Sequence, residues 1–341
     1  MLGWRRGGHP PTPLCALFGI DVPIIQAPIG SWPELSAAVS NAGGLGMLGL
    51  SWDDPGEVRQ LIRETSDLTA APFGINLKLD EDQHERLEAG LEEGVRIISL
   101  FWGRLAADDD YVRMAHQEGA LVTLTVGSAL EARLAVDAGV DVVVAQGLEA
   151  GGHVWGQVST LPLVPVVVDA VAPVPVVAAG GIGDGRGLAA VLALGARAGW
   201  VGTRFLLAEE AAIHPTYRSL LIEASESDTV HSSLFDVGWE NAPHRTIANS
   251  TWRRWMEAGS PPTGARPGEG ETVARDENGE PILRYEFSDP WAGSTGDVEA
   301  TALYAGQSVG LVREVLPGAQ IVARLVEEAE AALRSARGLV D

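Results

Sequence analysis

His153 closes the segment EAGGH, Glu149–His153, which follows the apolar run DVVVAQG and precedes VWGQVST. An imidazole titrates near neutrality and is the usual general base. The adjacent Gly151 and Gly152 would let a flat ring lie against the loop backbone. A loop histidine on its own is more often a surface or capping residue; what favours chemistry here is its place at the end of an apolar strand. The other six, His9, His84, His116, His214, His231 and His244, show no metal spacing such as H-E-x-x-H. Cys15 is the single cysteine, so neither an internal disulfide nor a cysteine-based zinc cluster can form, and a reducing cytoplasm fits the count.

Two amides stand at strand ends. Asn76 interrupts FGINLKL and Gln146 ends DVVVAQ; each must bond neighbouring backbone at the mouth or present its amide to the edge of a heteroaromatic ring. A phosphate signal comes as a pair, AAGGIGDG and GTRF, with Gly180, Gly181, Gly202 and Thr203 as candidates. Glycine allows backbone N–H groups to approach an anion closely, and the loops after the last two strands of a (β/α)8 barrel commonly do this. Tight turns are the plainer alternative. Two dinucleotide-fingerprint matches carry less: the glycines of GLGMLG, 44–49, run through a strand, and GRGLAA, 185–190, lies in the seventh βα unit rather than the first.

These residues need a scaffold, and the chain from 23 to 203 alternates short β-branched runs with helical spacing. Eight strands are predicted: 23–27, 45–49, 73–79, 95–101, 121–126, 141–146, 175–180 and 198–203. Between them lie amphipathic segments such as PELSAAVSNAG, DPGEVRQLIRET, EDQHERLEAGLEEG, DDDYVRMAHQEG, SALEARLAVDAG and DGRGLAAVLALG, several with Ser or Asp at the start and Gly at the end. Strands that are apolar almost throughout suit a sheet covered on both faces, and eight such units point to an α/β fold, a (β/α)8 TIM barrel.

The rhythm stops after Arg204. A small, partly helical insert over 207–297 follows strand eight, with helices near HPTYRSLLIEA and IANSTWRRWMEAG and a disordered or exposed hairpin in SPPTGARPGEGETVARDENGEP. Helix is expected to return at DVEATALYAGQSVGLVREV, as the eighth barrel helix, and at AQIVARLVEEAEAALRSA. The barrel thus comprises 17–206 and 298–337. A net charge of −22 argues against nucleic acid and anionic membranes, and no apolar run approaches the length of a membrane span.

Seven ordered motifs, PIIQAP (23–28), NAGGLG (41–46), FGINL (73–77), QGLEAGGH (146–153), AAGGI (178–182), VGTRF (201–205) and YAGQSVG (304–310), together resemble the nitronate monooxygenase family, formerly called 2-nitropropane dioxygenases. The resemblance implies an FMN-binding TIM barrel with an inserted domain over the flavin. Ala27, Pro28 and Ile29 would lie against the isoalloxazine, and Asn76 and Gln146 would bond it. Gly151, Gly152, Gly180, Gly181 and the segment Trp200, Val201, Gly202, Thr203 would hold ribityl and phosphate, with Gly306, Gln307 and Ser308 completing the phosphate site. Thr125 stands near the ring where many relatives carry Gln or Lys, and Trp200 where relatives often carry Gln, so for Trp200 only a backbone contact carries over. No metal ligand set is implied.

The family's chemistry implies oxidation of an alkyl nitronate or nitroalkane with O2 to a carbonyl compound and nitrite, His153 removing the proton from a neutral nitroalkane. A reductive alternative is NAD(P)H-dependent, resembling FMN-dependent enoyl-acyl-carrier-protein reductases and the family's quinone reductases. The absence of a separate nicotinamide motif favours the oxidative reading only mildly. A barrel of the IMP dehydrogenase kind needs a nucleophilic cysteine at the site, and Cys15 precedes the first strand. A barrel that binds flavin without turnover is the fourth reading, since fold does not fix function. The expected partners are small molecules and O2; a homodimer is left open.

Overall fold

The computed structural model describes residues 12–105 and 109–339. Eight parallel strands form the central sheet: β1 (Ile24–Gln26), β2 (Gly46–Gly49), β3 (Phe73–Lys78), β4 (Ile97–Phe101), β5 (Leu121–Val126), β6 (Val142–Gln146), then, beyond the two-residue β7 (Gly152–His153), β8 (Val176–Ala179) and β9 (Ala198–Val201). Their order is β1-β9-β8-β6-β5-β4-β3-β2, and a parallel bridge between Ile25 and Leu45 joins the two ends into a barrel. All eight predicted strands are present, each within two residues of its expected ends.

The apolar runs divide by alternation into two sets. Ile24, Leu48, Ile98, Val143, Ala145, Val176 and Ala178 pack outward beneath the helices. Ile25, Met47, Ile97, Val142, Val144, Val177 and Trp200 form a separate cluster with Leu14, Cys15 and Phe18 from the helix Pro13–Phe18. A strand buried on both faces needs apolar residues at every position, which is why these runs read as continuous.

Local chemistry sets the helix starts. Asp54 accepts hydrogen bonds from the backbone N of Gly56 and Glu57 while Glu57 returns one to the Asp54 N, a complete capping box opening the helix Pro55–Leu68. The side chains of Ser128 and Asp184 accept from first-turn N–H groups of the helices Ala129–Asp137 and Gly185–Ala193, without the reciprocal acid. The helix Thr160–Val171 is absent from the sequence reading, because TLPLVPVVVDAV looks like a strand broken by prolines. Its buried Leu163, Val164, Val167 and Val171 nonetheless recur at helical spacing.

Two antiparallel sheets lie outside the barrel. β10 (Thr229–Ser232) pairs with β11 (His244–Ile247), and β12 (Thr272–Arg275) pairs with both β13 (Pro281–Leu283) and β14 (Thr295–Gly296), so the hairpin expected there is ordered. The two helices expected in the insert are Pro215–Glu223 and Ser250–Glu257. The expectation for DVEATALYAGQSVGLVREV fails: only 3-10 turns at Val298–Ala300 and Gln307–Leu311 form. The reason is competition for its backbone, since the Leu303 O accepts from Ile247 N, Ala305 N donates to Arg245 O, and Gln307 N donates to Glu149 O. The eighth barrel helix is instead Gly318–Arg337, whose buried Ile321, Val322, Leu325, Val326 and Ala329 belong to the outer barrel core.

Candidate active site

β7 is the EAGGH loop made into a strand. It pairs antiparallel with β11, His153 opposite His244 and Gly152 opposite Arg245, so the loop after β6 is stitched to the insert by backbone ladder bonds. Gln146 braces the same loop from below: its Nε2 donates to the His153 O at 3.1 Å and its Oε1 accepts from the Trp155 N at 2.8 Å. Both ends of this amide therefore serve loop backbone. Glu149 fixes the loop's other side, its carboxylate accepting from the N and Oγ1 of Thr160 and its carbonyl from the Gln307 N.

The His153 ring is enclosed by aromatic side chains. Trp239 lies 3.9 Å away between centroids at 34°, Tyr304 at 5.3 Å, Trp102 at 5.5 Å, His244 at 5.5 Å and Phe287 at 6.5 Å. Its Nε2 is buried without a hydrogen-bond partner among the described residues. Burial pushes the imidazole well below its ordinary titration range, and the neighbouring His244 and Lys78 push the same way. His244 is itself lowered to about 4 by burial, so the pair is neutral at physiological pH.

Lys78, at the end of β3, was not singled out from the sequence, although it is the only lysine in the chain. Its side chain is 2% exposed, and its Nζ meets Asp80 at 3.1 Å and Glu81 at 2.9 Å. The ammonium also lies over Trp239 and Trp52, 4.5 and 5.6 Å from their centroids. Trp239, missed as well, donates its indole N–H to Asp80 Oδ2 at 2.9 Å. Uniqueness of type was the available signal for Lys78; an isolated tryptophan in a turn-rich insert offered none.

The glycine candidates meet on the adjoining side. Gly180 and Gly181 take φ of +98° and +77°, which side chains rarely adopt. The N–H groups of Gly181, Ile182 and Gly183 have no hydrogen bond among the described residues. The turn Gly306–Ser308 closes over them: a Cβ on Gly183 would lie 2.9 Å from the Ser308 O, and one on Gly151 would lie 2.4 Å from the Gly306 N. Thr203 Oγ1 accepts from the Gly306 N at 2.9 Å, joining the loop after β9 to the same turn. A Cβ on Gly202 would make ordinary contacts with Ala27 and Ile29, and one on Gly152, at φ +73°, would meet no atom within 4 Å. Pro28 follows Ala27 and faces Gly49.

Three candidates stand apart from this convergence. Asn76 turns its Nδ2 to Ser99 Oγ on β4 at 2.9 Å. Thr125 sits one residue before the end of β5, opposite Val144. The Trp200 side chain packs in the barrel interior with Ile25 and Val177, leaving its backbone to the sheet. No metal-holding group of His, Cys, Asp and Glu occurs among the described residues, and no helix there is long and apolar enough to cross a membrane.

The resulting arrangement couples a dry, uncharged imidazole to a glycine cradle with unbonded N–H groups. The first can exchange a proton with a carbon acid; the second fits the phosphate end of a flavin mononucleotide. Comparison with known proteins identifies the family. The family described as nitronate monooxygenase matches residues 11–89 and 81–328. The chain is 32% identical, over 97% of its own length and 99% of the other's, to the (3aS,4S,5R,7aS)-5-hydroxy-7a-methyl-1-oxo-octahydro-1H-indene-4-carboxyl-CoA dehydrogenase of Mycobacterium tuberculosis. It is 33% identical to a nitronate monooxygenase of Paraburkholderia phytofirmans, over 95% and 96% of the two chains. Among solved structures, FabK from Thermotoga maritima superposes with a TM-score of 0.80 at 32% identity, covering 96% of this chain and 99% of that one.

Proposed function

Because the chain belongs to the nitronate monooxygenase family of flavin-dependent oxidoreductases, we propose that it exchanges two electrons between FMN and an uncharged, conjugated carbonyl substrate of the acyl-thioester or quinone kind, with NAD(P)H as the other partner of the reductive direction. One observation carries this choice of substrate: among the described residues that face the His153 ring, none offers an uncompensated positive charge. His153 is held neutral and Lys78 is already paired with Asp80 and Glu81. An anionic nitronate brought into this aromatic enclosure would lose hydration without gaining a counter-ion, whereas a neutral enone or thioester would not. The carboxyl-CoA dehydrogenase relative supports the thioester class.

FMN would be held by Gly180–Gly183, Gly202, Thr203 and the turn Gly306–Ser308, with Ala27, Ile29 and Gly152 bordering the space nearest the ring. When bound it supplies the two-electron redox step. The chain's own residues govern the proton. With an acyl thioester, His153 Nε2, free of any protein partner, takes a proton from the carbon next to the carbonyl in the dehydrogenating direction and returns it in the reductive one; with a quinone the proton it delivers goes to oxygen. Gln146 keeps the loop backbone from drifting, so the imidazole stays in place. Trp102, Trp239 and Phe287 exclude water from the exchange.

A second reading, oxidation of a neutral nitroalkane with O2, is favoured by the same unprotonated imidazole and by the Paraburkholderia relative. Anaerobic bleaching of the flavin separates the two. We expect NAD(P)H to bleach the protein and an enoyl thioester or quinone to restore its colour. Bleaching by nitroalkane or nitronate alone, with NAD(P)H inert, would reject the reductive assignment.

A further inference from the structure

Among the contacts between the insert and the barrel mouth, one tryptophan reaches several barrel groups at once. Trp239 sits in the turn after Asp236, its N donating to the Asp236 O at 3.2 Å, and it is 5% exposed. From there its indole reaches three groups of the barrel. The N–H donates to Asp80, the ring carries the Lys78 ammonium, and the same ring lies against the His153 imidazole. Trp52, Trp102 and Phe287 pack around its remaining edges at centroid distances of 5.7, 5.1 and 5.9 Å. Asp80 is thereby tied to both Lys78 and Trp239.

A buried Nε2 with no partner costs free energy because water does not satisfy it, so that state lasts only where packing keeps water out. An indole laid on the imidazole does that, and the bonds to Asp80 and Lys78 hold the indole there. We propose that Trp239 is the positioning residue of this site: anchored to Asp80 and Lys78, it seats the insert on the imidazole of His153 and keeps water from Nε2. The inference rests on the reading of His153 as the proton-exchanging group and concerns what holds that group ready.

The charged and titratable groups facing His153 set the expected signs. Lys78 from β3 and His244 from β11 disfavour its protonation; Asp80 and Glu81 pair with Lys78, and Tyr304, its phenol pushed well above its ordinary range by burial, flanks the ring. Removing the indole admits water and frees Asp80 from its N–H donor, and both changes favour the charged imidazole. The group then titrates at higher pH.

The test uses the flavin-loaded protein labelled with 15N-histidine, the His153 signals assigned by their loss in His153→Gln. In the wild type we expect His153 to stay neutral across the pH range where the fold survives. In Trp239→Ala its midpoint should rise by about one unit or more toward the ordinary imidazole value. Trp239→Phe keeps an aromatic cover but removes the N–H to Asp80, so its midpoint should fall between the two. It also serves if the alanine variant does not fold, which a thermal melt reports. The acid limb of the kcat/KM profile should move upward in step. An unchanged His153 midpoint in the folded variants would overturn the proposal. Full turnover in His153→Gln would instead remove the proton-exchange reading, while the midpoint in the Trp239 variants still decides whether the indole shields the imidazole.

Discussion

The cradle of glycines and the aromatic ceiling enclose the same space with different materials. The cradle is backbone: Gly181, Ile182 and Gly183 present unbonded N–H groups, the turn at Gly306 closes over them, and Gly180 and Gly181 take positive φ. The ceiling is side chain: Trp102, Trp239, Phe287 and Tyr304, from separate stretches, lie against the His153 ring, and Trp52 and Trp155 pack behind them on Trp239 and Trp102. A backbone site can serve any member of a flavin family, because it reads a phosphate and not a substrate. A site of packed rings reads shape and dryness, and those are properties of one chain. Cofactor binding and proton handling should therefore be separable by mutation.

The largest expected effect lies on the ceiling side of that division. Replacing His153 with Ala should lower kcat about 100- to 10,000-fold, the usual contribution of a positioned acid or base, while the flavin absorbance is retained. Loss of flavin together with turnover would mean that the loop and the cradle are one unit, joined through the Gly151 and Gly306 contact. The next effect is on the cradle. Gly180→Val places a side chain at φ +98° with its Cβ 2.9 Å from the Gly147 O. Strain of this kind costs about 1–3 kcal/mol, which corresponds to roughly one to two decades in affinity. Flavin titration followed by fluorescence should show that weakening, with kcat at saturating FMN close to wild type. A collapsed kcat with unaltered FMN affinity would break the comparison.

The same division governs what the sequence could disclose. The convergence of the glycine loops was legible, since AAGGI and GTRF follow apolar runs at the ends of neighbouring strands. The eight strands were legible for an equally local reason, a core on both faces. The helix Thr160–Val171 was not, because Pro162 and Pro165 and a run of valines imitate a strand until the outer core is seen to take one face. The segment 297–315 misled in the opposite direction: its helical spacing is real, but β11 and Glu149 claim its backbone. The ceiling depends on contacts between residues as distant as Asp80 and Trp239, and no spacing rule connects those. Gln146 stands between the cases. Its position was found from its strand end, while its service to the backbone of His153 and Trp155 required the fold.

The smallest effect expected tests whether the ceiling, unlike the backbone cradle, responds to protons. Asp289 lies beside Tyr217 and Tyr304, and burial pushes its carboxyl up to about 7 from its ordinary value of 3.8. A folded-state pKa above the unfolded one means that the native protein holds the proton more tightly. The stability this confers is present below about 4 and is lost as pH rises through about 7, where an unfolded chain ionises freely and the folded one resists. His244 acts in reverse: with its folded value near 4, its contribution is present above the ordinary imidazole range and lost on acidification. The two oppose each other over the same interval, so the wild-type melting curve alone does not isolate either. Asp289→Asn does, because His244 is common to both proteins and cancels in the difference. We expect the variant's melting temperature to exceed that of the wild type by about a few degrees at pH 8 and the gap to close toward pH 4.5. A gap independent of pH would show that Asp289 is not the group that couples the ceiling to protons.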